Sequence, residues 1–426
     1  MACASHRWGQ HSRLRDRRTD EMHKISRQDH AQTKSANVNF LLEEKALRRR
    51  HNLKWSTYGE EVLPAFVAEM DYEVAPAIHE ALLKVTAGQQ YGYPARNGRR
   101  TSEYVAELYA SRMADRFGWQ VKAENVVVVS DLVQAIFTTV LAFSREGDGI
   151  AIQNPCYPPF REATTSTGRM MIPIETKDDG TRLSIDFEGL SKAIGPQTRL
   201  LMLCNPHNPT GRVLERSELE NIADLVCAND LLLVSDEVHS EITFGGARHV
   251  PIASLGKAIG ERTITLGSAA KSFNIAGLKC AFIHFGSNVL RDRYLSIFPR
   301  RVIVPGHVMG IDATIAAWEL SDTWQRDVML YLGDMRNLLL NRLQEEIPEI
   351  RVRPPQGTYM AWLDCSELQL PCSAHEFFLT EAQVALSAGH TFLPHGDNFV
   401  RLNFATSEKI LNEILDRMVG AIRYRS

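Results

Sequence analysis

The run Thr263-Ile264-Thr265-Leu266-Gly267, followed at once by Ser268-Ala269-Ala270-Lys271-Ser272-Phe273-Asn274-Ile275-Ala276-Gly277-Leu278-Lys279, decides how the chain is read. A short apolar and β-branched run bounded by glycine has the length and composition of a buried strand rather than a helix. Lys271 therefore leaves a strand end instead of a solvated helix face. Burial disfavours an ammonium and lowers its pKa, and a neutral lysine amine is what covalent chemistry with a carbonyl compound requires. A lone lysine is more often a surface residue with its stem laid on apolar neighbours. The rest of the chain has to decide between the two.

Five more runs have the same character, at 126–129, 149–152, 200–203, 231–234 and 281–284. Each is about four residues long and nearly all apolar, as in strands buried on both faces. Helical patterns such as 216–227 lie between several of them, which predicts an α/β architecture with a mostly parallel sheet covered by helices. In such sheets ligands sit outside the carboxyl ends of the strands.

The residues just past each run carry the polar chemistry. Asp131 after the first caps a helix whose free amides, at Leu132 and Val133, suit an anion. The second leads into Asn154-Pro155-Cys156-Tyr157-Pro158-Pro159, an extended loop offering the Tyr157 ring. The third leads into Asn205-Pro206-His207-Asn208-Pro209-Thr210-Gly211-Arg212, a crowd of turn residues that aims amides at the crevice. After the fourth come Asp236, Glu237 and His239, with a carboxylate that needs a cation or strong donor to be tolerated. An anion site, a ring, an amide, a buried acid and a reactive amine are together the parts that hold pyridoxal phosphate.

Composition narrows the rest. The chain has 426 residues, 44% hydrophobic and 23% charged, so it is long enough for two domains. A formal net charge of -3 argues against nucleic acid as a partner and gives no pull toward an anionic membrane. No apolar run is long enough to span a bilayer. Seven scattered cysteines without a CxxC pair suggest neither a disulfide frame nor a metal site, and fit a reducing cytoplasm. Residues 1–36 read as a disordered tail, 37–75 as an N-terminal arm, 76–305 as a large cofactor-binding domain and 306–426 as a smaller α+β domain. In the last, strands are expected near Arg351 and Tyr359 and at 389–392 and 399–404.

With these motifs in view, the sequence resembles fold-type I pyridoxal-phosphate enzymes of the class I/II aminotransferase family, and more narrowly their cystathionine β-lyase branch. The resemblance rests on Tyr91-Gly92-Tyr93, Asn205 through Arg212, Ser235 through His239, Lys271 through Leu278, Gly357 through Asp364 and Arg401-Leu402-Asn403-Phe404-Ala405. It implies a large and a small domain, a homodimer, and β-elimination from L-cystathionine or another S-substituted L-cysteine to give a thiol, pyruvate and ammonia. It also implies roles. Lys271 would bind the cofactor and later move the Cα proton, Asp236 would meet the pyridine nitrogen, Asn208 and His239 would face the ring hydroxyl, and Tyr157 would stack on the ring. Ser268, the amides of Leu132 and Val133, Lys279, and Tyr93 from the other subunit would hold the phosphate. Arg401, with Asn205 beside it, would clamp the substrate carboxylate. Phe66 and Tyr91 would shape the substrate side and the choice between elimination and transamination.

The chain departs from the family pattern in places. Asp131 stands where a glycine is usual, Lys279 where an arginine is common, and Phe66 and Glu69 where the branch often has Trp and Asp. Alternatives on the same scaffold are an aminotransferase, or decarboxylative or oxidative processing of a cysteine conjugate. A regulator built on this fold would carry a DNA-binding domain, and residues 1–36 are too short and too poor in apolar residues to form one.

Overall fold

The apolar runs read from the sequence pair into one sheet. Its strands are β1 (Val126–Val129), β2 (Gly149–Gln153), β3 (Met170–Ile174), β4 (Thr198–Cys204), β5 (Leu232–Asp236), β6 (Thr263–Gly267) and β7 (Ala281–Phe285). This is a computed structural model, and it describes residues 39–424 apart from 97 and 304, so the expected disordered tail lies outside the described residues. The strand order is β1-β7-β6-β5-β4-β2-β3. β7 runs antiparallel to β6 and β1, and the other neighbours are parallel.

Residues alternate between the two faces of the sheet, and both faces are covered. On β4, Leu200 and Met202 join one core with Ile136, Val140 and Phe143, while Leu201 and Leu203 join another with Leu219, Ile222 and Val226. The first set comes from helix α3 and the second from α5, in the series α1 (Pro76–Ala87), α2 (Thr101–Phe117), α3 (Leu132–Phe143), α4 (Pro158–Thr165) and α5 (Arg216–Ala228). Each fully buried aliphatic side chain of this kind contributes roughly 1.5–3 kcal/mol. Asp131 caps α3 by accepting from the amides of Val133 at 2.7 Å and Gln134 at 3.3 Å. A capping box between Glu215 and Glu218 starts α5.

β3 carries no expectation from the sequence. It is the edge strand, partly exposed, with Pro173 inside it, and proline in a strand is confined to edges because it cannot donate to the ladder.

Beyond α6 (Val308–Leu320) and α7 (Asp322–Glu346) a second, antiparallel sheet forms from β8 (Arg351–Val352), β9 (Met360–Asp364), β10 (Ser387–Ala388) and β11 (Phe399–Asn403), in the order β8-β9-β11-β10. The chain closes with α8 (Glu408–Arg423). The expected strand at 389–392 is instead a 3-10 turn, Gly389–Thr391, and the outer partner of β11 is the shorter β10. Gly389 lies so close to the carbonyls of Gly396 and Phe399 that a Cβ would sit about 2.2–2.3 Å from them. The backbone there turns against another backbone, leaving no room for a side-chain ladder.

In β4, β5 and β6 the carboxyl ends are level, because Asp236 pairs with Cys204 on one side and Leu266 on the other. The loops that leave these three strands therefore open into one crevice.

Candidate active site

Lys271, Asp236, Asn208, His239, Tyr157, Leu132, Phe66 and Arg401 line one cavity of about 550 Å³. The first six come from the last residues of strands of the large sheet or from the loops and helix starts that follow them. Arg401 comes from β11, and Phe66 from the segment before α1. The loop carrying Asn208 turns at Gly211, whose φ of +71° and approach to Pro355, 2.4 Å from an added Cβ, admit only glycine without rearrangement.

Burial dominates the electrostatics. The Lys271 amine is buried and lowered to about 8, first by desolvation and then by the neighbouring Arg401. Its Nζ donates to the Ala68 carbonyl at 2.9 Å. Asp236 is pushed up to about 7 by burial, against the amide of Val238, which donates to its Oδ1 at 3.1 Å. Burial also drives His239 well below the usual imidazole range, so it is a neutral ring. Arg401 is lowered to about 10 by burial and stays a cation at neutral pH. It donates to Asn208 Oδ1 at 2.8 Å, the Phe66 carbonyl at 2.7 Å and Ser387 Oγ at 3.0 Å, with its guanidinium 4.7 Å from the Phe392 ring centroid.

Two groups here are unfinished. His239 Nδ1 and Arg401 Nε are buried without a hydrogen-bond partner among the described residues, and no ion pair joins Arg401 to a carboxylate among them. Buried polar groups left open in this way are completed by a ligand or water. A buried acid, a neutral ring nitrogen, an amide and an aromatic wall facing a reactive amine fit the ring of pyridoxal phosphate.

At the phosphate end the fit takes a different form, because a carboxylate stands in for the anion. Asp131 takes the Val133 amide and forms an ion pair with Lys279, while Ser268 Oγ donates to the Cys280 carbonyl at 2.6 Å and accepts from the Ala270 amide at 3.0 Å. Three of the donors expected to hold phosphate, Val133, Lys279 and Ser268, thus already hold an acid or a carbonyl. Asp131→Asn keeps a good helix cap and releases Lys279. Its dissociation constant for pyridoxal phosphate is expected to fall about tenfold, the effect of removing one repulsive charge near a dianion. Fluorescence titration of the cofactor-free proteins measures it, and equal or weaker binding by the variant would count against Asp131 as a stand-in for the phosphate.

Two residues expected at this chain's site, Asn205 and Tyr91, lie apart from the cavity, as does Tyr93, which is expected at the site of the other subunit. Asn205 is buried, with its Oδ1 taken by the Leu214 amide at 3.0 Å and its Nδ2 3.4 Å from His249. It braces the loop, and Asn208 has the place beside Arg401. Tyr91 is exposed, its hydroxyl 3.4 Å from the Thr86 carbonyl. Tyr93 is fully exposed and lines a separate cavity of about 670 Å³ with Arg99, Arg100, Arg300 and Arg301.

Other site groups carried no expectation. The Ala68 carbonyl is a backbone atom with no signature in sequence. Ser387 sits in a two-residue strand too short to read, and Tyr58, which meets Phe66 edge-on at 5.5 Å, lies in an irregular segment. Tyr359 belongs to the Gly357–Asp364 motif, which by itself assigns it no role.

Residues 67–418 match the family described as aminotransferase class I and II. A putative cystathionine β-lyase of Mycobacterium leprae is 33% identical over 397 residues, covering 88% of this chain and 96% of that protein. The cystathionine β-lyase PatB of Bacillus subtilis is 30% identical over 394 residues, covering 90% and 100%. Among solved structures, a putative pyridoxal-phosphate-dependent β-cystathionase of Corynebacterium diphtheriae superposes with a TM-score of 0.85 at 30% identity, covering 91% of this chain and 100% of that one. The chain belongs to the class I and II aminotransferase family and, within it, to the pyridoxal-phosphate-dependent carbon-sulfur β-lyases.

Proposed function

We propose that the chain cleaves the Cβ–sulfur bond of an S-substituted L-cysteine, L-cystathionine or a larger conjugate, releasing a thiol, pyruvate and ammonia with the uptake of one water. The observation that carries this reading is a buried guanidinium, Arg401, without a carboxylate partner among the described residues and facing the same cavity as the buried amine of Lys271. Arg401 binds the α-carboxylate and leaves Cα beside Lys271. Lys271 holds the cofactor, and its amine, once freed, moves the Cα proton. Pyridoxal phosphate, when bound, supplies the electron sink that makes this proton acidic.

Around them Asp236 pairs with the ring nitrogen, Asn208 and His239 face the ring hydroxyl, and Tyr157 covers the ring. Ser268, Lys279 and the amides of Leu132 and Val133 hold the phosphate after Asp131 yields to it. Phe66, edge to face with Tyr58, bounds the side on which the sulfur substituent leaves. We assign the exposed Tyr91 and Tyr93 to the partner subunit's site, which makes the working protein a homodimer, and we place it in the cytoplasm. Among the described residues no helix is long and apolar enough to cross a membrane.

A mass-spectrometric screen of cysteine conjugates, run without a keto acid, tests the reading. The expected result is continuous release of pyruvate and thiol from at least one conjugate. A single stoichiometric conversion of the cofactor to its amine form, with no pyruvate, sinks it in favour of transamination.

A further inference from the structure

Residues 66–72 form an irregular strap that lines the cavity at Phe66, Val67 and Ala68, and its carbonyls are almost all taken by side chains from elsewhere. Arg401 and Ser387 take the Phe66 carbonyl, and Asn274 takes those of Met70 and Tyr72. Asn403 Nδ2 reaches the carbonyls of Val67 and Glu69, both at 2.6 Å, and so brackets Ala68. Beneath the strap Lys54 and Asp71, 1% and 2% exposed, form an ion pair at 2.7 Å, and Trp55 Nε1 donates to Asp71 at 2.7 Å. Breaking such a pair leaves a buried charge uncompensated, so the strap has a firm base.

The Ala68 carbonyl is the exception in what it serves. Its two donors are Lys271 Nζ at 2.9 Å and the Tyr359 hydroxyl at 3.0 Å, which together fill the two lone pairs of a carbonyl oxygen. Tyr359 is fully buried, and burial raises its phenol far above the ordinary value, so it keeps its proton and acts on Ala68 as a donor. Its ring lies edge-on to His239, with centroids 5.9 Å apart.

We propose that Tyr359, with Asn403, is a positioning residue that fixes the Ala68 carbonyl as the seat of the free Lys271 amine during proton transfer at Cα. The proposal rests on the proposed role of Lys271 as the base at Cα. A lysine side chain has four rotatable bonds and no fixed geometry of its own. Once substrate frees the amine, one N–H held by a rigid carbonyl leaves the lone pair to face the substrate, and the same carbonyl dipole stabilises the ammonium that forms when the proton is taken. The other charges around the amine, Arg401 and Lys279 against Glu69 and Asp236, supply no hydrogen bond to it. A misplacement of about 1 Å at such a centre costs up to about a hundredfold in rate.

Exchange of the Cα proton of L-alanine in deuterated water, followed by NMR with the holoenzyme, tests this, because alanine has no leaving group at Cβ. In Tyr359→Phe the exchange rate is expected to fall about tenfold or more, with cofactor affinity and the apparent KM for alanine nearly unchanged. In the cofactor-free protein, the pH midpoint for labelling Lys271 with an amine-reactive reagent is expected to move down, because the carbonyl that accepts from the ammonium is no longer held in place. A merely structural role would move melting temperature and cofactor affinity, and would leave that midpoint in place. Asn403→Ser loosens the same carbonyl from its flanks and is expected to slow exchange in the same way. Wild-type exchange rates in both variants overturn the proposal. Undiminished exchange in Lys271→Ala overturns instead the reading of Lys271 on which it stands.

Discussion

Lys271→Ala is expected to lower pyruvate release by more than about a thousandfold, since the change removes both the covalent partner of the cofactor and the base that moves the Cα proton. The fold should survive the change. The amine is buried and lowered to about 8 from an ordinary 10.5, so the unfolded chain binds more protons between those values and stability rises with pH across that window. Below pH 8 the folded cofactor-free protein must carry a desolvated ammonium, and the alanine variant is relieved of it. Borohydride reduction followed by peptide mass spectrometry should find the cofactor mass on the Lys271 peptide of the wild type and nowhere in the variant. Pyruvate release near the wild-type rate would remove Lys271 from the chemistry.

The strand-end logic that singles out Lys271 reaches the part of the cavity wall that comes from the large sheet. Asp236, His239, Asn208 and Tyr157 can be read because each comes just after an apolar run, and parallel strands in level register bring their ends together. Sequence does not choose between two similar turn residues. Asn205 and Asn208 both precede a proline, and what separates them is a hydrogen bond to His249, distant in the chain, and another to the Leu214 amide. Nor does sequence mark a backbone acceptor. The Ala68 carbonyl matters because Lys271, Tyr359 and Asn403, separated from it by two hundred positions or more, converge on it and its neighbours.

The departure at Asp131 shows the converse. An acid beside a phosphate site looks unfavourable in sequence, yet its side chain turns back onto the amides of its own helix and onto Lys279. The helix needs that cap when no phosphate is bound. The turn at 389–392, where the sequence pattern predicts a strand, has a similar cause: local patterning is blind to the close backbone approach at Gly389 that excludes a ladder.

Asp236→Asn is expected to move activity and stability in opposite directions. The carboxyl is buried at the end of β5, where desolvation pushes it up to about 7 against the Val238 amide and the Lys271 charge. In the unfolded chain it titrates near 4. Between about pH 4 and 7 the folded cofactor-free protein therefore holds a proton that the unfolded chain gives up, so stability falls as pH rises through that window and is flat above it. The loss is on the order of 4 kcal/mol. Asparagine has no proton to lose. The cofactor-free variant should match the wild type in melting temperature near pH 4.5 and exceed it at pH 8. Activity should change the other way, because an amide cannot carry the negative charge that pairs with a protonated ring nitrogen, and a fall of about a hundred- to a thousandfold in kcat is expected. Thermal melts at the two pH values, with pyruvate assays after reconstitution, measure both. Equal melting at pH 8 would mean that the carboxylate is already satisfied without cofactor. The combined result would identify Asp236 as a residue whose burial costs the empty protein stability and whose charge is balanced only when the ring nitrogen stands beside it.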